Sequence, residues 1–202
     1  MKALTLVLAA ILLSTFFHSL SAQSHNPLLE FNQKRLNHQK SAMIVLGSWA
    51  VGNLASGAIF QSRRSGVEKH FHQMNMGWGA VNLGIATLGY WRAVRKNPKN
   101  GTLASSLKDF NSYQKTLLFN AGLDVGYVAG GLYLMERSRR YSGKKADQQK
   151  GWGQSIILQG AFLFTFDLIA YWTSTKYTEN IRPLMTLDPQ LGQAQLGLRL
   201  SF

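Results

Sequence analysis

Four mostly apolar runs dominate the chain, and short segments that carry most of its charge separate them. Each run is about 20 residues long, the length that a helix needs to cross the hydrocarbon core of a bilayer. No Lys or Arg occurs inside them. The pattern predicts an all-α fold, a four-helix transmembrane bundle over residues 41–175. The predicted spans are 42–60, 74–91, 116–135 and 151–174.

The spans are only moderately hydrophobic, and the mean hydropathy of the whole chain is close to zero. A soluble periplasmic bundle, with helices buried around most of their circumference, is therefore the alternative. Tryptophan favours the membrane, because Trp91, Trp152 and Trp172 lie at or near run ends, where amphipathic rings occupy the bilayer interface. We expect the membrane-embedded bundle.

A leader precedes the runs. Lys2 supplies a positive start, Ala3 to Phe17 is apolar, and Ala22 offers a small residue at a cleavage point. This order predicts a secretory signal peptide over residues 1–22 and a mature chain that begins at Gln23. An uncleaved anchor is the alternative, because Leu20 is larger than cleavage sites prefer. Export places the protein in the cell envelope, with the inner membrane favoured over the outer membrane.

The segments that flank the bundle are polar. Residues 23–40 are predicted to form a short amphipathic helix at the surface. Residues 176–202 are predicted to be an extended tail that folds as a short β-hairpin around Asp188-Pro189-Gln190. Alternating apolar residues end at Phe202, and this ending resembles the last strand of outer-membrane barrels. The resemblance covers only eight residues, so we expect a hairpin packed on the bundle or on a partner.

The formal charge of +13 comes from Lys and Arg in the connections, and these basic groups indicate anionic lipid head groups as partners. Nucleic acid is not expected, because the basic residues do not form one face with interleaved aromatic residues. Their distribution favours neither membrane orientation. Cysteine is absent, and no metal-ligand, phosphate-loop or nucleophile motif occurs. We therefore expect neither enzyme activity nor a cofactor.

Polar residues near the run centres form the candidate site. Their helical spacing places each on one face with Trp, Tyr or Ser neighbours. A carboxylate near the bilayer centre costs at least ~2.5 kcal/mol, so it is expected to face the bundle interior. The predicted intramembrane polar cluster is Asn53, Asn82, Asp124, Asp167, Tyr127 and Tyr171.

Two roles for this cluster stay open. The favoured role is structural, since interhelical hydrogen bonds fix helix register in a non-enzymatic membrane protein that serves as a scaffold or binds a partner. The alternative is a small proton- or cation-linked permease or channel that uses the two carboxyls. Gly122, Gly126 and Gly130 repeat every four residues and predict a helix-association face, with a thin wall that lines a pocket or pore as the alternative. A protein partner or a homo-oligomer stays open.

The signal peptide, the four spans and the strand-like tail together resemble an uncharacterised family of small membrane proteins from Bacteroidota. The resemblance implies the architecture just described, and it implies no activity.

Overall fold

The computed structural model describes residues 26–181, and these residues form four long helices. A short 3-10 helix over Lys176–Ile181 follows the fourth helix, at the start of the segment expected to be extended. The described part of the chain contains no strand, which confirms the all-helical prediction. The signal peptide and the hairpin around Asp188 lie outside the described residues. The helices are α1 Pro27–Phe60, α2 Gly66–Arg95, α3 Leu103–Ser138 and α4 Gly143–Thr175.

Local sequence explains where the helices begin. The Asn26 side chain accepts a hydrogen bond from the Leu29 N–H at 3.0 Å, and Pro27 occupies the first turn of α1. Thr102 and Ser105 form a reciprocal capping box at the start of α3. Helices α2 and α4 begin at Gly66 and Gly143, whose φ values are 56° and 59°. Both hairpin turns therefore end in a left-handed backbone conformation that favours glycine.

The predicted surface helix over residues 23–40 is corrected by the fold. Helix α1 runs without interruption from residue 27 to residue 60, and its first turns pack against the bundle. Phe31 is fully buried and meets Phe110 edge-on, with ring centroids 5.5 Å apart. Leu107 and Ile181 complete this cluster. The apolar residues of the segment face the bundle, which the loose periodicity of the sequence did not reveal.

The helices form two antiparallel hairpins, α1–α2 and α3–α4, which join mainly through α2 and α4. Consequently, both hairpin turns, residues 61–65 and 139–142, lie at one end of the bundle, here called the hairpin end. The other end of the bundle, here called the terminal end, contains the start of α1, the α2–α3 connection and the 3-10 helix. At the terminal end, Asn32 Nδ2 donates to the Pro98 carbonyl at 3.2 Å and holds the connection against α1.

Glycine lets the helices approach closely toward the hairpin end. A Cβ on Gly153 would lie 2.6 Å from the Gly131 carbonyl oxygen, and one on Gly79 would lie 2.9 Å from the Ala50 carbonyl oxygen. The predicted association face within the bundle is wrong, because Gly122, Gly126 and Gly130 have no such neighbour within 4 Å. They face outward, while Gly131, one residue further along α3, makes the contact. Spacing of four does not say which side of a helix meets its neighbour.

Polarity is inverted relative to that of a soluble bundle. Large apolar side chains cover the outside, where Trp172 is 76% exposed and Phe119 is 67% exposed. Asn and Asp side chains, together with Gln159, occupy the inside, where Gln159 is fully buried. Helices that pack in lipid show this distribution, because the apolar surface needs no burial and the polar groups do.

Three of the four helices, α1, α3 and α4, are long and apolar enough to cross a membrane. Helix α2, which carries the predicted span 74–91, does not meet this criterion. Its run contains two asparagines and four glycines, which lower its hydropathy. Both asparagines, Asn75 and Asn82, are buried. Composition alone therefore identifies three candidate spans, and α2 packs beside them.

Replacing Gly153 by Ala is expected to destabilise the bundle, because the new Cβ meets the Gly131 carbonyl oxygen at 2.6 Å and Met135 Cγ at 2.8 Å. Overpacking of this kind costs about 1–3 kcal/mol. Gly126→Ala is the matched control, since a Cβ there meets nothing within 4 Å. Thermal unfolding in detergent micelles measures both, and equal melting temperatures would contradict the packing described.

Candidate functional site

A polar network centred on Gln159 joins the two hairpins. Gln159 Nε2 donates to Asn53 Oδ1 at 2.8 Å and to Asn75 Oδ1 at 3.0 Å. Gln159 Oε1 accepts from Trp49 Nε1 at 2.8 Å. Ser155 Oγ donates to Asn75 Oδ1 at 2.6 Å, so α4 supplies two residues of the network. Side chains from α1, α2 and α4 thus satisfy one another at one depth, which we call the Gln159 network.

Asn53 is the one predicted site residue in this network, and its Nδ2 donates back to the Trp49 carbonyl at 2.8 Å. The indole of Trp49 also stacks on Phe162, with ring centroids 3.9 Å apart. Gln159 and Ser155 were not predicted from the sequence. The signal for Gln159 is an uncharged amide within the fourth run, eight residues before the predicted Asp167.

Four other predicted residues, Asn82, Asp124, Asp167 and Tyr127, line a cavity of about 480 Å³ instead. All four helices contribute to its wall, and most of the wall is apolar. Trp78 lies against Tyr127 with ring centroids 5.0 Å apart, at the inner end of the cavity. The predicted single cluster is therefore divided between a network and a cavity. Tyr171, the sixth predicted residue, is partly exposed and is not part of the cavity wall.

Two buried polar atoms on the cavity wall lack a hydrogen-bond partner within the described residues. They are Asn82 Nδ2 and Asp124 Oδ2, and both residues are only 2% exposed. A buried donor or acceptor without a partner costs about 1–3 kcal/mol. The cavity is large enough to hold water, which can serve both atoms. These two atoms differ from those of the Gln159 network, which find their hydrogen-bond partners on neighbouring helices of the protein.

The carboxyls of Asp124 and Asp167 lie on the wall of the same cavity and are close enough for their charges to act on each other. Two neighbouring carboxylates repel each other, and a proton shared between them removes the repulsion. No Lys or Arg lies in the runs that carry them. The arrangement can therefore hold a proton or a cation at the depth of the bundle centre.

The cavity extends from this pair toward the terminal end. Gln39, Arg92 and Lys96 line it there, and Tyr113 lines it between them and the carboxyls. Lys96 is paired with Asp109 at 2.5 Å. Burial raises the pKa of Asp109, but the hydrogen bonds and charges of Lys96 and Arg35 lower it more, so this pKa lies below its usual value. The carboxylate of Asp109 stays ionised and partly offsets the basic charge.

A further polar group lies beside the cavity and was also missed. His38 Nε2 is 2.8 Å from Thr173 Oγ1, and the Tyr113 hydroxyl is 3.5 Å from His38 Nδ1. Nothing in the sequence pairs residues 38, 113 and 173, which come from three helices. Among the described residues, no group of three His, Cys, Asp or Glu side chains could hold a metal ion.

The sequence model of a family of unknown function, DUF6992, matches residues 45–168. No curated protein and no solved structure matches the chain. The matched segment contains the Gln159 network and the carboxyl pair, while His38 and Thr173 lie just outside it.

Replacing Gln159 by Leu is expected to lower the stability of the bundle by about 1–3 kcal/mol, because Trp49, Asn53 and Asn75 each lose a hydrogen-bond partner. Gln154→Leu, on the same helix but outside the network, is the matched control. Tryptophan fluorescence during unfolding in mixed micelles measures both variants. Equal loss of stability in the two would show that the network does not hold the hairpins together.

Proposed function

Because the chain belongs to this family of unknown function, DUF6992, we propose its role from its own geometry. We infer a non-enzymatic integral membrane protein of the cell envelope whose bundle has a structural or interaction role. Its leader directs export, and its basic connections contact anionic lipid head groups.

The inverted polarity of the bundle carries this proposal. At neighbouring positions of α3, Phe119 is 67% exposed while Asn120 lines the cavity. A soluble protein would leave a large apolar girdle in water, where such patches promote association. In a bilayer, the same girdle contacts lipid at no cost. The arrangement of polar and apolar residues therefore favours the membrane over a soluble periplasmic bundle.

The ends of the bundle support the same placement. Arg95 lies over the ring of Trp91 at 3.9 Å, and Lys145 lies over the ring of Tyr141 at 3.9 Å. The first pair is at the terminal end and the second at the hairpin end. Aromatic rings beside basic groups suit the two interfaces of a bilayer, where an apolar body and a charged tip are both accommodated.

The Gln159 network supports the structural role. Hydrophobic burial does not drive helices together in lipid, so association depends on close packing and interhelical hydrogen bonds. The contacts of Gly79, Gly131 and Gly153 supply close packing within each hairpin, and Gly151 of α4 packs against Val67 of α2. The Gln159 network supplies the hydrogen bonds between the hairpins. A bundle assembled in this way needs no substrate or cofactor.

A specific observation favours a second candidate function, a proton- or cation-linked permease or channel. The carboxyl pair lies in a cavity, and Asp124 Oδ2 has no partner among the described residues. A side chain with hydrogen-bond partners on another helix, such as Asn53, would stabilise the assembly of the bundle better. Intramembrane carboxyls that line a water-accessible cavity are the groups that bind and relay protons or cations.

Because the chain contains no cysteine, single substitutions report on the environment of one position at a time. We expect Asn120→Cys to react with a charged methanethiosulfonate reagent in liposomes, since thiolates form where water reaches. Phe119→Cys, one residue away and lipid-facing, is expected to react far more slowly. Mass spectrometry of the modified chain measures both rates.

Both cysteines reacting quickly would contradict membrane embedding, because water would then reach the outer face of α3 as well. Both failing to react would contradict a hydrated cavity. Release of the wild-type chain from membranes by alkaline carbonate would equally overturn the proposal of an integral protein.

Asparagine substitutions separate the two candidate functions. Asp124→Asn and Asp167→Asn are each expected to fold with a melting temperature close to that of the wild type, because an amide can replace a protonated carboxyl as donor. A purely structural role predicts unchanged behaviour of both variants in the cell. A proton-linked role predicts that either substitution abolishes proton uptake by proteoliposomes under an imposed membrane potential.

A further inference from the structure

Along the bundle axis, the cavity extends from the carboxyl pair toward one end only. Toward the hairpin end, its lining residues stop at Trp78 and Tyr127. Beyond them, the Gln159 network and the close contacts of Gly131, Gly151 and Gly153 fill the bundle. Toward the terminal end, the lining continues along α2 as far as Lys96. Water can therefore approach the pair from the terminal end, while the hairpin end is closed.

Tyr113 links this cavity to His38. Its hydroxyl is 3.5 Å from His38 Nδ1, and its ring meets the imidazole edge-on at 5.9 Å. Asp167 lines the same cavity and is close enough for its charge to act on the phenol. Burial and this charge raise the pKa of Tyr113, so its hydroxyl keeps its proton and can donate to one neighbour while it accepts from another.

The surroundings of His38 keep its imidazole neutral at pH 7, because burial lowers its pKa. Thr173 from α4 contacts Nε2, and the rings of Tyr113 and Tyr177 enclose the imidazole from α3 and the 3-10 helix. The charged groups on this part of the cavity wall are Arg92, Lys96 and Asp167. A neutral imidazole can take up a proton at one nitrogen and release one from the other.

We propose that the carboxyl pair Asp124–Asp167 exchanges protons with the water phase at the terminal end only, and that Tyr113 and His38 form the relay. The inference rests on the second proposed function and names the proton as the ligand of that site.

The transfer balances without an oxidant or a co-reactant. The Thr173 hydroxyl donates to the Ile169 carbonyl at 2.7 Å, so Nε2 of His38 carries the imidazole proton and Nδ1 accepts from the Tyr113 hydroxyl. In proton release, the phenol proton passes to Nδ1 and the Nε2 proton leaves to bulk water. Cavity water that has taken the proton of Asp167 then reprotonates the Tyr113 oxygen, and uptake runs through the same steps in reverse. Reorientation of the imidazole and of the phenol resets the relay. Only N–H and O–H bonds form and break.

The experiment uses the full chain in proteoliposomes selected for a single orientation. A light pulse releases protons from a caged compound on one side, and time-resolved infrared spectroscopy follows the carbonyl band of the protonated carboxyls. Asp124→Asn and Asp167→Asn identify the band. We expect a fast response when protons are released at the terminal end and none on the same timescale at the hairpin end.

Tyr113→Phe and His38→Gln are each expected to slow this response by on the order of tenfold or more, because a positioned donor and acceptor is lost. Tyr133→Phe, on the lipid-facing side of α3, and His72→Gln, toward the hairpin end, are the matched controls and should respond like the wild type. Melting temperatures of all four variants establish that each is folded.

A response to protons released at the hairpin end would overturn one-sided access. Wild-type rates in both Tyr113→Phe and His38→Gln would overturn the relay. These failures are distinct from failure of the proposed function, because the reactivity of Asn120→Cys reports separately whether water fills the cavity. A reactive Asn120→Cys together with unchanged relay variants would refute this inference alone.

Discussion

The hydrogen bonds of the Gln159 side chain are the interaction on which the rest of the bundle depends. They connect α4 to α1 and α2, which belong to the other hairpin, and they are buried inside the bundle, where buried polar groups need partners from the protein. Because the amide geometry is specific, these bonds fix the depth at which the hairpins meet. That register sets which residues of α2 face which residues of α4, and so it places Asn82 on the same cavity as Asp167.

Glycine placement then divides the bundle into two halves with different properties. Toward the hairpin end, Gly131 and Gly153 bring α3 and α4 so close that a methyl group on either would strike backbone. Toward the terminal end, larger residues such as Tyr113 and Phe166 keep the helices apart and leave the cavity between them. Along the bundle axis, the interior polar groups therefore face the terminal end. This asymmetry follows from the packing of the described residues.

The sequence predicted the helical class and four of the polar residues that share a cavity, because run length and depth can be counted along a chain. It did not predict which of those residues are satisfied, since that depends on the register between hairpins. Asn53 and Asn82 each lie four residues after a tryptophan, yet only Asn53 finds a partner in Gln159. The rotation of α3 about its own axis could not be predicted from the sequence either. Gly122, Gly126 and Gly130 were therefore assigned to the face that meets other helices, whereas they lie on the outer face. His38 and Tyr113 are 75 residues apart and meet only through tertiary packing.

The amides of the Gln159 network are satisfied, whereas Asn82 Nδ2 and Asp124 Oδ2 on the cavity wall are not, and this contrast bears on what the interior is for. Fixing helix register needs donors and acceptors, and Asn53, Asn75 and Gln159 provide these without ionisable groups. A carboxyl at the same depth adds a cost of at least ~2.5 kcal/mol when charged. Two carboxyls side by side add repulsion unless they share a proton. Assembly alone does not account for this cost. The second proposed function accounts for it, because a carboxyl can bind and release a proton at this depth and an amide cannot.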